Sequence, residues 1–87
     1  MAKVFVPPRL RRLTGGAEQI DAAGATVGEL VADVDRRFPG FRAAVVSGAE
    51  LATGIAVAID GDIVAGGLEE RVDPHSEVHF VPALGGG

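Results

Sequence analysis

The chain of 87 residues contains no cysteine, tryptophan or tyrosine, and only four phenylalanines. The absence of cysteine excludes disulfides, thiolate metal sites and cysteine nucleophiles, so any sulfur chemistry needs sulfur from outside the chain. The apolar runs fall far short of the ~20 residues that a membrane-spanning helix requires, and residues 1–4 lack the apolar region of a secretory signal. We therefore expect a cytoplasmic protein that does not enter a membrane.

The charge balance is acidic, with 8 basic and 12 acidic residues and a net charge of −4. Four of the basic residues, Lys3, Arg9, Arg11 and Arg12, lie within the first twelve positions. An acidic body with few aromatic rings is a poor nucleic-acid binder, because phosphate contacts need a cationic surface and bases stack on exposed rings. The basic cluster could contact a phosphate or an acidic partner, although a solvated loop is the simpler interpretation.

The hydrophobic residues predict one small folded domain with an α+β sheet. They make up 47% of the chain, which is enough for one hydrophobic core. A chain of 87 residues is too short to form two. Alternation and turn residues predict strands at residues 3–6, 18–22, 55–59, 63–64 and 78–81, with prolines after the first strand and an Asp-Gly turn after the third. Residues 10–13, followed by Thr14, Gly15 and Gly16, are predicted as a connection.

The strongest local signal is a helix that begins after Thr26. Thr26 and Glu29 form a capping-box pattern, and apolar residues then recur at helical spacing as far as Phe38. Pro39 and Gly40 end the helix, and residues 41–46 could add a short helical turn. One apolar stripe must lie against the sheet, so we expect one main helix on one face.

Alternation along the strands also sorts the two faces of the sheet. If Val4, Val6, Val78 and Phe80 face the helix, Phe5, His79 and Val81 point to the opposite face. We expect that opposite face to bind partner proteins, provided that the register is not shifted by one residue, since such a shift would exchange the faces.

The last residues carry the strongest functional hypothesis. Gly85, Gly86 and Gly87 have no side chain to bury, so we expect a domain over residues 1–84 and a flexible tail over 85–87 that delivers the α-carboxylate of Gly87. Leu84 could bind in a groove of a partner or fold back on its own sheet. A carboxylate is a poor electrophile until an enzyme converts it to an acyl-adenylate. A linker left at the end of a cloned sequence is the alternative explanation.

Other polar residues give no convincing active site. Asp60, Asp62, Asp73 and Glu77 lie at or near turns, which explains them better than paired-carboxylate catalysis. His75 and His79 have no clear set of further ligands, so we expect no metal site. We expect no bound cofactor, and ATP should bind to a partner enzyme.

The chain resembles the MoaD/ThiS family of sulfur-carrier proteins, which are ubiquitin-like in fold. The resemblance extends over essentially the whole chain, and its motifs are VFV at residues 4–6, LRRLTG at 10–15, TVGEL at 26–30, FPG at 38–40 and FVPALGGG at 80–87. It implies a β-grasp fold with a mixed sheet of four to five strands and one main helix on one face.

The resemblance also implies a protein cosubstrate and not an enzyme. Its terminal glycine, Gly87 here, would be adenylated with ATP by an activating enzyme and converted to a thiocarboxylate. A second enzyme, a sulfur-accepting synthase, would then take the sulfur. Phe5, His79, Val81, Pro82 and Leu84, together with Gly85 and Gly86, would contact these partners, and no nucleic acid or membrane would take part.

The sequence leaves the recipient pathway and the fate of the activated glycine open. Family members serve molybdopterin, thiamine thiazole, cysteine and other sulfur-metabolite synthesis, and Pro82-Ala83 leans slightly toward the cysteine type. A ubiquitin-like modifier would use the same acyl-adenylate to join Gly87 to a lysine. A β-grasp adaptor with an inert tail is the third possibility.

Overall fold

The computed structural model describes residues 1–83. Predictions that concern Leu84, Gly85, Gly86 and Gly87, including a flexible tail, lie outside the described residues. Within residues 1–83, no helix is both long enough and apolar enough to span a membrane.

Five of the seven strands form the main sheet. In chain order they are β1 (Ala2–Phe5), β2 (Gln19–Ala22), β5 (Ile55–Ile59), β6 (Asp62–Val64) and β7 (Glu77–Pro82), and across the sheet the order is β2-β1-β7-β5-β6. The neighbours β1 and β7 run parallel, and the other pairs are antiparallel. The sheet is therefore mixed, and its first and last strands lie side by side within it, in keeping with the β-grasp fold that the resemblance implies.

The main helix α1 (Val27–Arg37) begins where the capping pattern predicts. The Thr26 hydroxyl accepts a hydrogen bond from the backbone N–H of Glu29 at 3.2 Å. The Glu29 carboxylate accepts from the N–H of Ala25 at 2.8 Å, one residue earlier than a standard capping box would place it. These two hydrogen bonds therefore fix the backbone at the start of α1.

Several short elements connect these strands. The segment Pro8–Thr14 forms a 3₁₀-helix, and Gly15, in the left-handed region, caps its C-terminal end. The sequence predicted residues 10–13 of this segment only as a connection. The predicted helical turn is α2 (Phe41–Val45). The other two strands, β3 (Val46–Ser47) and β4 (Glu50–Leu51), form a separate hairpin that the sequence did not predict.

The core lies between α1 and one face of the sheet. Val4, Val6, Val78 and Phe80 are all buried against the helix side, which confirms the predicted sorting of the two faces. The ring of Phe41, fully buried, meets Phe80 edge to face with centroids 5.8 Å apart. This packing leaves the opposite face of the sheet without a covering helix among residues 1–83.

Candidate functional site

The uncovered side of the sheet, called the open face below, carries one row of residues that crosses all five strands. Strand register places Gln19 beside Phe5, Phe5 beside His79, His79 beside Ala58, and Ala58 beside Ile63. Directly opposed residues point to the same side of a sheet. The open face therefore has a continuous central row, to which the sequence prediction contributed Phe5 and His79.

An aromatic stack lies at the middle of the central row. The ring of Phe5 and the imidazole of His79 are parallel within 2°, with centroids 4.1 Å apart. His79 Nε2 lies 4.0 Å from a carboxylate oxygen of Glu77 on the same strand. Because Phe5 and His79 are paired on neighbouring strands, the stack joins an apolar ring and an imidazole side by side, and the central row thus presents a partly apolar surface.

An apolar hollow adjoins the central row toward the C-terminal end of β7. Its volume is about 450 Å³, and it is lined by Ala56, Ile63, Val81, Pro82 and Ala83. Ile63 is 67% exposed, which is unusual for so large an apolar side chain in a domain with a packed core. Val81 and Pro82 were predicted for this surface and do line the hollow.

A second hollow of about 300 Å³ brings most of the predicted residues together. Phe5, His79, Val81 and Pro82 all line it, and Arg11 closes one side. The Arg11 Nε donates to the Val6 carbonyl oxygen at 3.1 Å, so this member of the basic cluster also fastens the 3₁₀-helix to the end of β1. Arg11, one of the four residues of the basic cluster, thus lines the same hollow as the predicted residues.

The last described hydrogen bond of the chain lies beside these hollows. Pro82 has no N–H to donate, and the next residue, Ala83, donates its N–H to the Gly54 carbonyl oxygen at 2.9 Å. Gly54 has a φ of +84°, a conformation that L side chains rarely adopt. This bond fixes the point from which residues 84–87 continue. They span at most about 13 to 14 Å.

Four members of the open face, Gln19, Ala56, Ala58 and Ile63, were not predicted from the sequence. The sequence did contain a signal for the two alanines. Large and small residues alternate over residues 55–59, so Ala56 and Ala58 point to the other face of the sheet from the large apolar side chains. Among residues 1–83, no three histidine or carboxylate side chains gather as a metal site requires. What this surface offers chemically is apolar contact, one aromatic stack and flanking charge, which suit a protein partner.

Comparisons with known proteins agree with this geometry. The model of the ThiS family matches residues 4–87. A chain of the solved Amycolatopsis orientalis BexX/CysO complex is 36% identical, with a TM-score of 0.91 and 100% of each chain covered. A comparison with curated proteins finds no match.

Two further solved structures are similar in fold alone, since both are under 25% identical. Mycobacterium tuberculosis CysO, described as an antigen, is 24% identical with a TM-score of 0.89, and the match covers 97% of this chain and 100% of that one. SAMP1 of Haloferax volcanii is 24% identical with a TM-score of 0.72, and the match covers 99% of this chain and 98% of that one.

Proposed function

The chain belongs to the ThiS family of ubiquitin-like sulfur carriers with a β-grasp fold, and from that premise we propose that its reacting group is the carboxylate of Gly87. The protein acts as a cosubstrate. An activating enzyme binds ATP and supplies the catalytic groups, and a sulfur-accepting synthase consumes the charged carrier.

The proposed chemistry proceeds in two balanced steps. A Gly87 carboxylate oxygen attacks the α-phosphorus of ATP, and pyrophosphate leaves, which gives an acyl-adenylate. Sulfide then attacks the carbonyl carbon as HS⁻, and AMP leaves, so that one terminal oxygen is replaced by sulfur. Nothing in this scheme requires a catalytic side chain on the carrier itself.

The observation that best supports the proposal is the relation between the open face and Ala83. The sheet ends in a backbone bond from Ala83 to Gly54, directly beside the hollow lined by Val81 and Pro82. A partner bound at that hollow would therefore reach the Gly87 carboxylate within about 14 Å of Ala83. Docking and delivery of Gly87 can occur in one encounter.

We place cysteine synthesis first among the pathways that would receive the sulfur. The likeness to a chain of the BexX/CysO complex and the Pro82-Ala83 approach to the glycines support this choice. Molybdopterin synthesis or a related sulfur-metabolite pathway is the alternative. A neighbouring gene for a cysteine synthase would support the first, and one for a molybdopterin synthase large subunit would support the second.

A ubiquitin-like modifier is the second candidate function, because the similar SAMP1 structures are those of small archaeal modifier proteins. The same acyl-adenylate would then pass to a lysine amine. Incubation with the activating enzyme of the same organism, ATP and a sulfide source separates the two fates. Mass spectrometry that finds sulfur in place of a terminal oxygen supports the carrier, whereas an isopeptide between Gly87 and lysine supports the modifier.

Removal of Gly87 is the matched control for this experiment. The shortened chain retains all described residues and the open face, so it should still bind the activating enzyme. It should fail to exchange labelled pyrophosphate into ATP at the wild-type rate. Full partner function without Gly87 would support an adaptor with an inert tail and contradict both candidates.

A further inference from the structure

The open face carries opposite charges at its two ends. At the end where β7 begins, register and backbone bonds place Asp21, Lys3, Glu77 and Asp60 in one row. All four are exposed, and three carboxylates face one ammonium. This acidic row lies two residues along the strands from the Phe5–His79 stack, which corresponds to about 7 Å.

The other end of the open face is basic. Arg9, which is exposed, lines a hollow of about 240 Å³ together with Val81 and Pro82. Arg11 lines the neighbouring hollow with His79 and Phe5. Both guanidinium groups therefore flank the end of β7 from which the chain continues to Gly87. The apolar hollows and the aromatic stack lie between the basic and the acidic end.

We propose that this charge gradient sets the orientation in which the activating enzyme docks. The complementary surface on that enzyme carries acidic groups beside the entrance that receives the glycines, apolar groups against Val81 and Ile63, and basic groups against Glu77 and Asp60. The inference rests on the proposed function for the identity of the occupant. It adds the charge pattern that such an occupant must have.

The physical basis is the difference between correct and reversed docking. Charged groups at an interface steer encounter and penalise wrong orientations more than they add affinity. A partner rotated by half a turn would place like charges together at both ends and would direct the glycines away from its active site. The apolar centre alone cannot make this distinction, because hydrophobic contact is not directional.

A second copy of the chain is the competing occupant. A two-fold arrangement would bring Arg9 of one copy near Glu77 of the other, so the gradient is compatible with a dimer. Against this, each copy carries a net charge of −4, which opposes self-association. A dimer would also cover the surface beside the point where the chain continues to Gly87.

The test removes the gradient without changing the net charge. The double variant Arg9→Glu/Glu77→Lys leaves equal numbers of basic and acidic groups at each end of the open face, and the two changes in charge cancel. The control variant Arg42→Glu/Glu50→Lys makes the same two kinds of substitution at exposed positions of α2 and β4, outside the main sheet. Circular dichroism and thermal melting confirm that both variants fold.

Binding to the activating enzyme of the same organism is measured first without ATP, so that docking is separated from chemistry. We expect the Arg9→Glu/Glu77→Lys variant to bind about tenfold more weakly than wild type, and the control to bind as wild type. The difference should shrink in ~1 M salt, where the Debye length falls to about 3 Å. Equal binding by wild type and the Arg9→Glu/Glu77→Lys variant, or no binding by wild type, would overturn the inference.

Adenylate formation and the oligomeric state are measured next. With ATP added, failure of wild type to form an adenylate contradicts the proposed function even when the binding difference stands. Equal adenylate formation by wild type and the Arg9→Glu/Glu77→Lys variant contradicts only the role of the charge gradient. Sedimentation measures the oligomeric state of the free protein. A wild-type dimer that dissociates in the single variant Arg9→Glu, which sets two carboxylates against each other, and forms again in Arg9→Glu/Glu77→Lys would assign the open face to a second copy and overturn the choice of occupant.

Discussion

Phe5 and His79 stack face to face although 74 positions separate them in the chain, with their ring centroids 4.1 Å apart. The contact exists because β1 and β7 lie parallel and adjacent in the sheet. It places an aromatic pair in the middle of the open face, between the apolar hollows and the acidic row. The first and last strands thus jointly form the surface to which we assign partner binding.

Truncation of the ring at Phe5 tests that assignment. Phe5→Ala should weaken binding to the activating enzyme about tenfold, because it removes an apolar ring and leaves His79 without its stacking partner. The measurement is titration calorimetry of the two proteins without ATP. Phe5→Leu, which retains apolar area but not the flat ring, should fall between wild type and Phe5→Ala.

A matched aromatic residue lies away from the open face. Phe38, also half-buried, caps the C-terminal end of α1. Phe38→Ala should lower the melting temperature and leave partner affinity unchanged in the folded protein. If both alanine variants reduce binding equally, the effect of Phe5 reflects general loss of structure and not a docking contact.

The distance from Ala83 to the reacting group gives a second prediction. Inserting one glycine between Leu84 and Gly85 moves the carboxylate by up to about 3.5 Å relative to the docked face. A shift of about 1 Å can already cost about a hundredfold in rate at a reacting centre. We expect the rate of adenylate formation to fall at least tenfold while the affinity of the complex stays the same. An unchanged rate would show that adenylate formation does not depend on the distance from Ala83 to the terminal carboxylate.

Asp33 provides a pH-dependent test of how α1 is held to β2. Its carboxylate accepts from the N–H of Ala23 at 3.0 Å and pairs with Arg36 and Arg37, and Arg37 also donates to the Asp21 carbonyl at 2.7 Å. The Ala23 hydrogen bond lowers the pKa of Asp33 from its ordinary 3.8; burial opposes this, and the two arginine charges reinforce it.

Because the pKa of Asp33 is lowered on folding, its ionised form stabilises the native state above the ordinary pKa. This contribution is lost as the pH falls through the lowered value. The free energy of unfolding of wild type should therefore exceed that of Asp33→Asn at pH 7, and the difference should shrink as the pH falls through the lowered pKa of Asp33. Urea unfolding of both proteins from pH 7 into acid measures this difference. A constant difference at all pH values would exclude the charge as the cause.

The cap of α1 gives a prediction that concerns stability alone. Thr26→Ala removes the acceptor for the Glu29 N–H and should cost about 1 kcal/mol in free energy of unfolding. In a domain of this size, that corresponds to a fall of about 4 to 8 °C in melting temperature. Thr26→Ser restores the acceptor and should recover most of the loss. Neither variant should alter partner binding, since Thr26 lies outside the open face.

Local patterns predicted the elements that depend on neighbouring residues. Thr26 and Glu29 located the start of α1, and Asp60 with Gly61 located the turn between β5 and β6, where both residues have positive φ. The same local rule failed for β3 and β4, because two-residue strands are too short to show alternation. The 3₁₀-helix was missed because prolines at positions 7 and 8 indicate the end of a strand as readily as the start of a helix.

Non-local register decided the rest of the site. Alternation predicted that Phe5 and His79 share a face, but no pattern in the sequence states that Phe5 pairs with His79 or that Ala58 brings Ile63 into the same row. Those neighbours follow from the order of the strands. The charge gradient was equally hidden, because Arg9 and Glu77 become ends of one surface only when the first and last strands pair.

Whether Gly87 carries the transferred sulfur is decided by the mass of the C-terminal peptide. After reaction with the activating enzyme, ATP and sulfide, we expect wild type to have one terminal oxygen replaced by sulfur at Gly87. Phe5→Ala should reach the same product more slowly. A C-terminal peptide that keeps both oxygens, while the enzyme consumes ATP in the presence of the chain, would contradict the proposed function.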